Sequence, residues 1–394
     1  MKTIGDQQLV KRINRSVLLR LLRIQPNQSR AQLAISSGLT KSTVSILVRE
    51  LIDDGWLTEA GTFTEIQTHS LRASGRPSTP LRINGKSRGL IGVEIAVEAL
   101  RVVVLSLVGD VLWSIEEALV ERDPTAVCQQ TAKLVARAHA RMRSKNIRTS
   151  GLGIGVPGIF EQATGRVEIA PNLGWRNLDF MPIIIAALAQ AGLPSMPVYV
   201  RNEADTASLS EYEFPDREEI HSLIFVNCAT GVGAGIVIND RLYSGVNGMA
   251  GEIGHSILEA DGLKCSCGRR GCVETLLGAR ALAGFDNPER GGQYLGLVLH
   301  NLWITFNPEL IVVGGYSCHK YPNIVEVARN TLAAFARSAH MNVPAVRGAR
   351  YGLLASAVGA AALTMHQYLR PMHAPSYADV NAEIPHLSVM DEAA

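Results

Sequence analysis

The chain has no run of about 20 consecutive apolar residues, the length that spans a bilayer, and Met1 to Asp6 are too polar to open a secretion signal; the cytoplasm is therefore the expected compartment. Aromatic residues are scarce at 5%, and there are 6 cysteines in 394 residues. Three of them, Cys265, Cys267 and Cys272, lie within eight residues, whereas Cys128, Cys228 and Cys318 are scattered. That pattern excludes a disulfide framework and reads as a metal cluster, the alternative being buried cysteines without a ligand. With 47% hydrophobic and 19% charged residues and 36 Gly, the composition is that of a globular protein, long enough for two or three domains.

The formal net charge of +2 hides a segregation. Residues 1–88 hold 14 Lys+Arg against 6 Asp+Glu, and the other 306 residues hold 24 against 30. A basic head on an acidic body implies that only the head meets a polyanion.

In the head, Leu9, Ile13, Val17 and Leu21 recur every four residues, predicting an amphipathic helix over residues 8–23 that stops before Pro26. Ser29 is placed to cap a second helix from Arg30 to Ser37, Gly38-Leu39 supplies a turn, and Thr40 can cap a third from Lys41 to Asp53. Val44, Leu47, Val48 and Leu51 share the inner face of that helix. Lys41, Ser42, Thr43, Ser45 and Arg49 are left on the outer face, which is expected to carry no bulky apolar group. Two short helices about a Gly turn, the second with a small, polar, basic face, form the helix-turn-helix pattern, whose second helix enters the major groove of double-stranded DNA by its N-terminal residues. Residues 56–59 and 63–66, with a turn at Gly61, would add the hairpin of a winged version. The alternative is a three-helix packing module with a solvated basic face, which the positive surplus disfavours because neutralising phosphates is what such a surplus does. The expected DNA contacts are Arg30, Lys41, Ser42, Thr43, Ser45, Arg49 and Arg76. Residues 68–80 are polar and Pro/Gly-punctuated, giving a winged helix-turn-helix domain over 1–67, a linker over 68–85 and a body over 86–370. Arg76, between Gly75 and Pro77, either reaches a minor groove or only joins the domains.

The body is read as α/β. Three β-rich runs over residues 90–97, 100–107 and 111–115 form a meander, followed by a helix over 124–144, a strand over 151–155, a helix over 181–191, a strand over 198–201 and a helix over 203–213. Strands over 221–227 and 233–239, a helix over 292–306, a strand over 310–313 and helices over 322–338 and 354–368 repeat the theme. A meander with alternating units, twice, implies two lobes with a cleft between them. Residues 371–394 lack periodicity and read as a loose tail.

Two stretches in the second half carry a more specific signature: Gly251-Glu-Ile-Gly-His255, and Cys265-Ser-Cys-Gly-Arg-Arg-Gly-Cys272-Val-Glu274. Together they resemble the ROK family, which comprises repressors, open reading frames and sugar kinases, and the resemblance spans nearly the whole chain. It implies a two-lobed, actin-like, sugar-kinase-like body. Three thiolates (Cys265, Cys267, Cys272) and one imidazole (His255) suffice for a closed tetrahedral zinc site, which leaves no position for water and is therefore structural. Its role would be to pin the loop holding Glu252 and Glu274. The resemblance further implies that Glu252, His255 and Glu274 contact sugar hydroxyls, His255 with one ring nitrogen on the metal and its other edge toward the ligand. Asn202-Glu203 falls at the family's Asn-Asp sugar site, and Gly158 would allow close backbone approach. Asn donates and accepts and a carboxylate accepts twice, which suits the alternating hydroxyls of a pyranose.

Kinases of this family carry Asp-x-Gly-x-Thr at the first hairpin; here the register reads Glu94-Ile-Ala-Val-Glu98. A carboxylate about 4 Å from a phosphate costs about 4 kcal/mol at an effective dielectric of about 20, so ATP is not expected to bind there. The second Gly-rich segment, Thr230-Gly-Val-Gly-Ala-Gly235, is intact, but such a turn can serve backbone packing alone. Glu203 replaces the kinases' catalytic Asp, one methylene longer in a reaction that tolerates little misplacement. The Asn-Glu-Ala wording is similar to the family's xylose-operon repressors, although Asp205 stands where those have Asn. The interval from Glu274 to Pro308 is short for the family, which implies missing helices on the nucleotide side. The resemblance thus implies a sugar-responsive transcriptional repressor without catalytic residues, a homodimer or homotetramer whose cleft closes on sugar and shifts the spacing of its heads. The rival is a ROK sugar kinase with a DNA-binding head; a third reading is a zinc-dependent DNA-packaging protein that ignores sugars.

Overall fold

The computed structural model describes residues 7–60, 79–214, 220–284 and 288–371. Three helices open the chain: α1 (Gln7–Ile24), α2 (Arg30–Ser37) and α3 (Lys41–Asp53). The expected caps are in place. Ser29 and Gln32 form a reciprocal capping box, Gly38 ends α2 in the left-handed region at φ 70°, and the Thr40 side chain accepts from the Thr43 N–H. Leu18, Leu22, Leu33, Val44, Val48 and Leu51 close the head's core at 0–1% exposure.

The head's strand β1 (Leu57–Glu59) pairs antiparallel with β2 (Leu81–Ile83), in the stretch read as linker. Leu81 is fully buried against the head, an apolar anchor that polar flanking residues masked in the sequence pattern. The expected hairpin partner at residues 63–66 lies outside the described residues, as do Arg76 and the expected tail from residue 372 onward.

The first lobe is a sheet of β3 (Arg88–Ile95), β4 (Ala99–Ser106), β5 (Val111–Ala118), β6 (Arg148–Val156) and β10 (Val198–Asn202) in the order β10-β6-β3-β4-β5, with β6 parallel to both β3 and β10. The helices α4 (Pro124–Ser144) and α5 (Phe180–Gln190) cover its outer face, sharing a core with Ile91, Val93, Val102 and Ile154. Between β6 and α5, β7 (Ile159–Glu161), β8 (Arg166–Ala170) and β9 (Trp175–Leu178) form a small antiparallel sheet that no sequence pattern announced.

After α6 (Glu203–Tyr212), the second sheet runs β13-β12-β11-β14-β15, built from β11 (Ser222–Cys228), β12 (Val232–Ile238), β13 (Arg241–Leu242), β14 (Leu310–Gly314) and β15 (Ala345–Gly348). The short α7 (Glu274–Leu277) and α8 (Ala279–Ala283), then α9 (Pro288–Phe306), fill the interval from Glu274 to Pro308; α10 (Tyr316–Lys320), α11 (Asn323–Ser338) and α12 (Ala355–Leu369) follow. Helices α9 and α11 pack on the outer face of the second sheet.

The inner faces of the two sheets meet through α6 and α12, and the two helices exchange lobes. Helix α6 leaves the first sheet and packs on the second, where a Cβ on Gly235 would come 2.1 Å from the Ala204 carbonyl. Helix α12 leaves the second lobe and packs on the first, where a Cβ on Gly153 would come 1.6 Å from the Ala360 carbonyl. The helices touch each other backbone to backbone, since a Cβ on Gly359 would lie 1.6 Å from Thr206 O. Glycine is required at these positions because any side chain would force the layers apart.

Candidate ligand cleft, metal cluster and DNA face

Asn202 ends β10 and caps α6. Its Oδ1 accepts from the backbone N–H of Ala204 (2.7 Å) and Asp205 (3.4 Å), and its Nδ2 donates to the Gly158 carbonyl (2.7 Å). Gly158 adopts φ 82°, and a Cβ there would strike Ile169 O at 2.1 Å. The close approach it permits is thus that of β8.

Glu203, at the start of α6, is partly buried among acids. Burial, then the carboxylates of Glu94 and Glu252, push its carboxyl up to about 8, with Arg101 opposing and Glu274 adding. Glu203 is therefore protonated at neutral pH and can donate as well as accept. Glu252 is also raised by burial, opposed by His255 and reinforced by Glu274. Asn202, Glu203, Glu252, His255 and Glu274 are all partly buried. The Glu274 carboxylate lies beside the Gly-rich turn: a Cβ on Gly231 would be 2.9 Å from Glu274 Oε2 and 3.8 Å from Asn172 Nδ2.

The structure gives four further residues a place around this cleft that spacing alone did not. Glu94, only 7% exposed, is bound by Arg101, its cross-strand neighbour on β4, at 3.0 Å, and Arg101 also reaches Glu116 at 2.8 Å. Asn172 lies in the loop before β9. Asp205 is buried and accepts from Ser244 Oγ at 3.3 Å. A lone Glu–Arg cross-strand pair is visible as i and j in a hairpin, and the Ala96–Ala99 turn would have given that register.

Ligand atoms of His255, Cys265, Cys267 and Cys272 all lie within 4.8 Å of one another. Cys265 Sγ is 3.7 Å from His255 Nδ1, and Cys267 Sγ is 3.7 Å from Cys272 Sγ. The sulfur–sulfur distance matches a tetrahedral edge of about 3.7 Å for metal–sulfur bonds of about 2.3 Å, and the sulfur–nitrogen distance is close to the edge of about 3.6 Å for a metal–nitrogen bond of about 2.0–2.1 Å, so the donor set fits zinc. Local geometry explains the convergence. Gly268 and Gly271 adopt φ 91° and 68°, Cys265 N–H donates to Arg269 O, and Gly271 packs where a Cβ would be 1.5 Å from Glu259 O. Ser266 Oγ donates to Glu274 Oε1 at 3.3 Å, tying this knuckle to the cleft.

On the head, Lys41, Ser42, Ser45 and Arg49 are exposed and Thr43 is partly buried. The expectation of a face free of bulky apolar groups is corrected: Ile46 is 61% exposed there, because it follows Ser42 by four residues and shares its stripe. Ser45 Oγ bonds back to Lys41 O at 2.8 Å. Arg30 lies apart from this face, paired with Glu59 of β1 at 2.8 Å.

A family model described as "ROK family" matches residues 90–287. The chain belongs to the ROK family. Among ROK proteins, a xylose repressor of Bacillus spizizenii is 27% identical over 381 residues, 90% of this chain and 94% of its own. A glucokinase of Halalkalibacterium halodurans is 28% identical over 271 residues, 58% of this chain and 80% of its own. The crystal structure of a ROK family transcriptional regulator, a homolog of the E. coli MLC protein, superposes with TM-score 0.71 at 24% identity, covering 92% of this chain and 97% of that one. The ROK fold, an actin-like sugar-kinase body, is therefore this chain's fold, and in this ROK protein a three-helix head precedes it. No described helix is long and apolar enough to cross a membrane.

Proposed function

We propose that this protein is a sugar-responsive DNA-binding transcriptional regulator, a repressor of carbohydrate-utilisation genes that a sugar releases from its operator. The observation that carries the reading is a cluster of partly buried hydrogen-bonding side chains beside a hairpin whose Glu94 is paired with Arg101. Asn202, Glu203, Glu252, His255 and Glu274 offer donors and acceptors at partly buried positions. At the first hairpin, where a kinase exposes N–H groups and a hydroxyl, the Glu94–Arg101 pair consumes the available cation and Glu98 projects an exposed carboxylate. The Gly-rich segment 230–235 is occupied by packing: Gly235 against Ala204 and Gly231 against Glu274. Similarity to a xylose repressor over 90% of the chain agrees with the regulatory reading and makes D-xylose the first sugar to test.

In this reading Asn202 Nδ2 and the neutral Glu203 carboxyl donate to ligand oxygens while Glu252 and Glu274 accept, with Gly158 positioning Asn202 through its carbonyl. His255, Cys265, Cys267 and Cys272 hold a zinc ion that supplies structural cross-linking and no open coordination position. It fastens the loop from Gly251 to Glu274 in the shape that aims both glutamates. The head, residues 1–67 with β2 completing its sheet, is a winged helix-turn-helix. Its Lys41, Ser42, Thr43, Ser45 and Arg49 meet the major groove, Arg30 approaches the flanking phosphates and Arg76 the minor groove. The sugar-binding body spans 86–370. The chain works in the cytoplasm as a homodimer or homotetramer on a pseudo-palindromic operator.

Mobility shift on the DNA upstream of its own gene, titrated with D-xylose, D-glucose and N-acetyl-D-mannosamine, tests this. A sugar that weakens the complex is expected. ATP consumption with any of these sugars, abolished by changing Glu203, would establish the kinase reading, which the similarity to a glucokinase keeps in view. DNA binding indifferent to every sugar would leave the packaging role.

A further inference from the structure

Helix α6 has its N-terminus in the candidate ligand cleft and its C-terminus against the DNA head. Every residue from Ala204 to Tyr212 is buried, and the helix spans about 15 Å, so it has no room to bend independently of its surroundings. At the cleft end lie Asn202 and Glu203, which the reading above assigns to the ligand. At the far end Glu213, 1% exposed overall and fully buried in its side chain, binds three partners. Arg23 of α1, in the head, reaches Oε2 at 2.5 Å; His366 Nδ1, near the end of α12, and Arg370, just beyond it, each reach Oε1 at 2.6 Å. Arg370 also donates to Tyr212 Oη at 2.8 Å, and that hydroxyl donates to Asp240 at 2.8 Å. Burial opposes ionisation of Glu213, but Arg370, Arg23 and His366 overcome it and hold the carboxyl well below its ordinary range.

The same end of α6 is tied to the second lobe. Glu211, fully buried, accepts from the Arg350 N–H at 2.8 Å and pairs with Arg347 at 2.7 Å; Arg350 also donates to Phe214 O. The helix therefore ends in a knot joining the second lobe, α12 and the head. Arg23 is the strand of that knot belonging to the head, and it is 18% exposed in its side chain.

We propose that α6 is the transmission element of the regulator: ligand engaged at Asn202 and Glu203 shifts α6 against α12, and the Arg23–Glu213 pair converts the shift into a change in how the head is held. This rests on the sugar-responsive reading above. Helices packed backbone to backbone move as bodies and not by local yielding, and a carboxylate shared by two arginines and a histidine can be held with or without the head's arginine. Losing Arg23 leaves Glu213 two cationic or hydrogen-bonding partners, so the body's core survives.

The test uses Arg23→Gln and Arg23→Lys in the full-length protein with a DNA duplex selected by the wild type from a random pool. D-Xylose, D-glucose and N-acetyl-D-glucosamine are each titrated by calorimetry, and the operator dissociation constant is read with and without each. For Arg23→Gln, sugar affinity within 2-fold of wild type is expected, while the ratio of operator affinities without and with sugar, typically 5- to 150-fold for such couplings, falls below about 2. Arg23→Lys, which keeps the charge, is expected to retain most of the ratio. A full ratio in Arg23→Gln overturns the proposal. If no sugar alters DNA binding by the wild type, the sugar-responsive reading fails first. A ligand-free arm then decides the coupling by itself. Asn202→Ser keeps a helix cap but cannot span the 2.7 Å bond to Gly158, and combined with Arg23→Gln it is expected to change operator affinity non-additively by at least about 3-fold. Additive effects overturn transmission through α6.

Discussion

Replacing Asp205 by Asn should stabilise the protein, increasingly so as pH rises. Asp205 lies in the first turn of α6, 6% exposed. Burial pushes its carboxyl up to about 7 from an ordinary 3.8, against Arg201 and a Ser244 hydrogen bond, with Glu252 adding to the rise. A raised acid pKa means that, between about pH 3.8 and about pH 7, the unfolded chain releases its proton and the folded protein keeps it. Stability therefore falls through that window by up to about 1.4 kcal/mol per pH unit and levels off above it, a total of about 4 kcal/mol. Asn at this position has no proton to lose and can still accept from Ser244, at a bond already long at 3.3 Å. Urea unfolding of wild type and Asp205→Asn at pH 5, 7 and 8 should give a stabilisation below about 2 kcal/mol at pH 5 rising to about 3–4 kcal/mol at pH 8. Glu203, raised to about 8, imposes the same sign on wild type and variant alike and largely cancels in the difference. A difference independent of pH, or a variant that loses stability relative to wild type as pH rises, would refute the assignment of a buried, ionisation-resistant carboxyl.

Three further outcomes are expected. Gly359→Ala places a Cβ 1.6 Å from Thr206 O, so α6 and α12 must part; a loss of about 1–3 kcal/mol or more, with weakened sugar binding, should appear in thermal unfolding and calorimetry. The purified chain should carry one zinc per protomer by atomic absorption, and Cys272→Ser should lose it and lower the melting midpoint; native protein free of metal whose three clustered thiols all react readily would remove the zinc assignment. Lys41→Gln with Arg49→Gln should reduce the slope of log affinity against log salt by about 0.9 for each phosphate no longer neutralised, and an unchanged slope would take α3 off the DNA.

The parts of this protein legible in sequence are those whose causes are local. The 3-4-3 spacing of Val44, Leu47, Val48 and Leu51, the caps at Ser29 and Thr40, and the turn at Gly38 each act within one or two helical turns, and the head's helices follow from them. The Cys265–Cys272 knuckle is likewise closed by short loops over two left-handed glycines, so spacing alone points to its convergence with His255. Tertiary structure decided what depends on distant surfaces meeting. The partner of β1 is β2, beyond a polar stretch, because Leu81 fills a hydrophobic site in the head and Ile83 packs beside it. The pairing of Glu94 with Arg101 across the first hairpin turns an apparent surplus charge into an internal ion pair. Above all, the exchange of α6 and α12 between lobes, and the Glu213 knot joining residues 23, 213, 366 and 370, arise from packing across some 350 residues of chain, where no sequence window carries the periodicity or spacing to announce them.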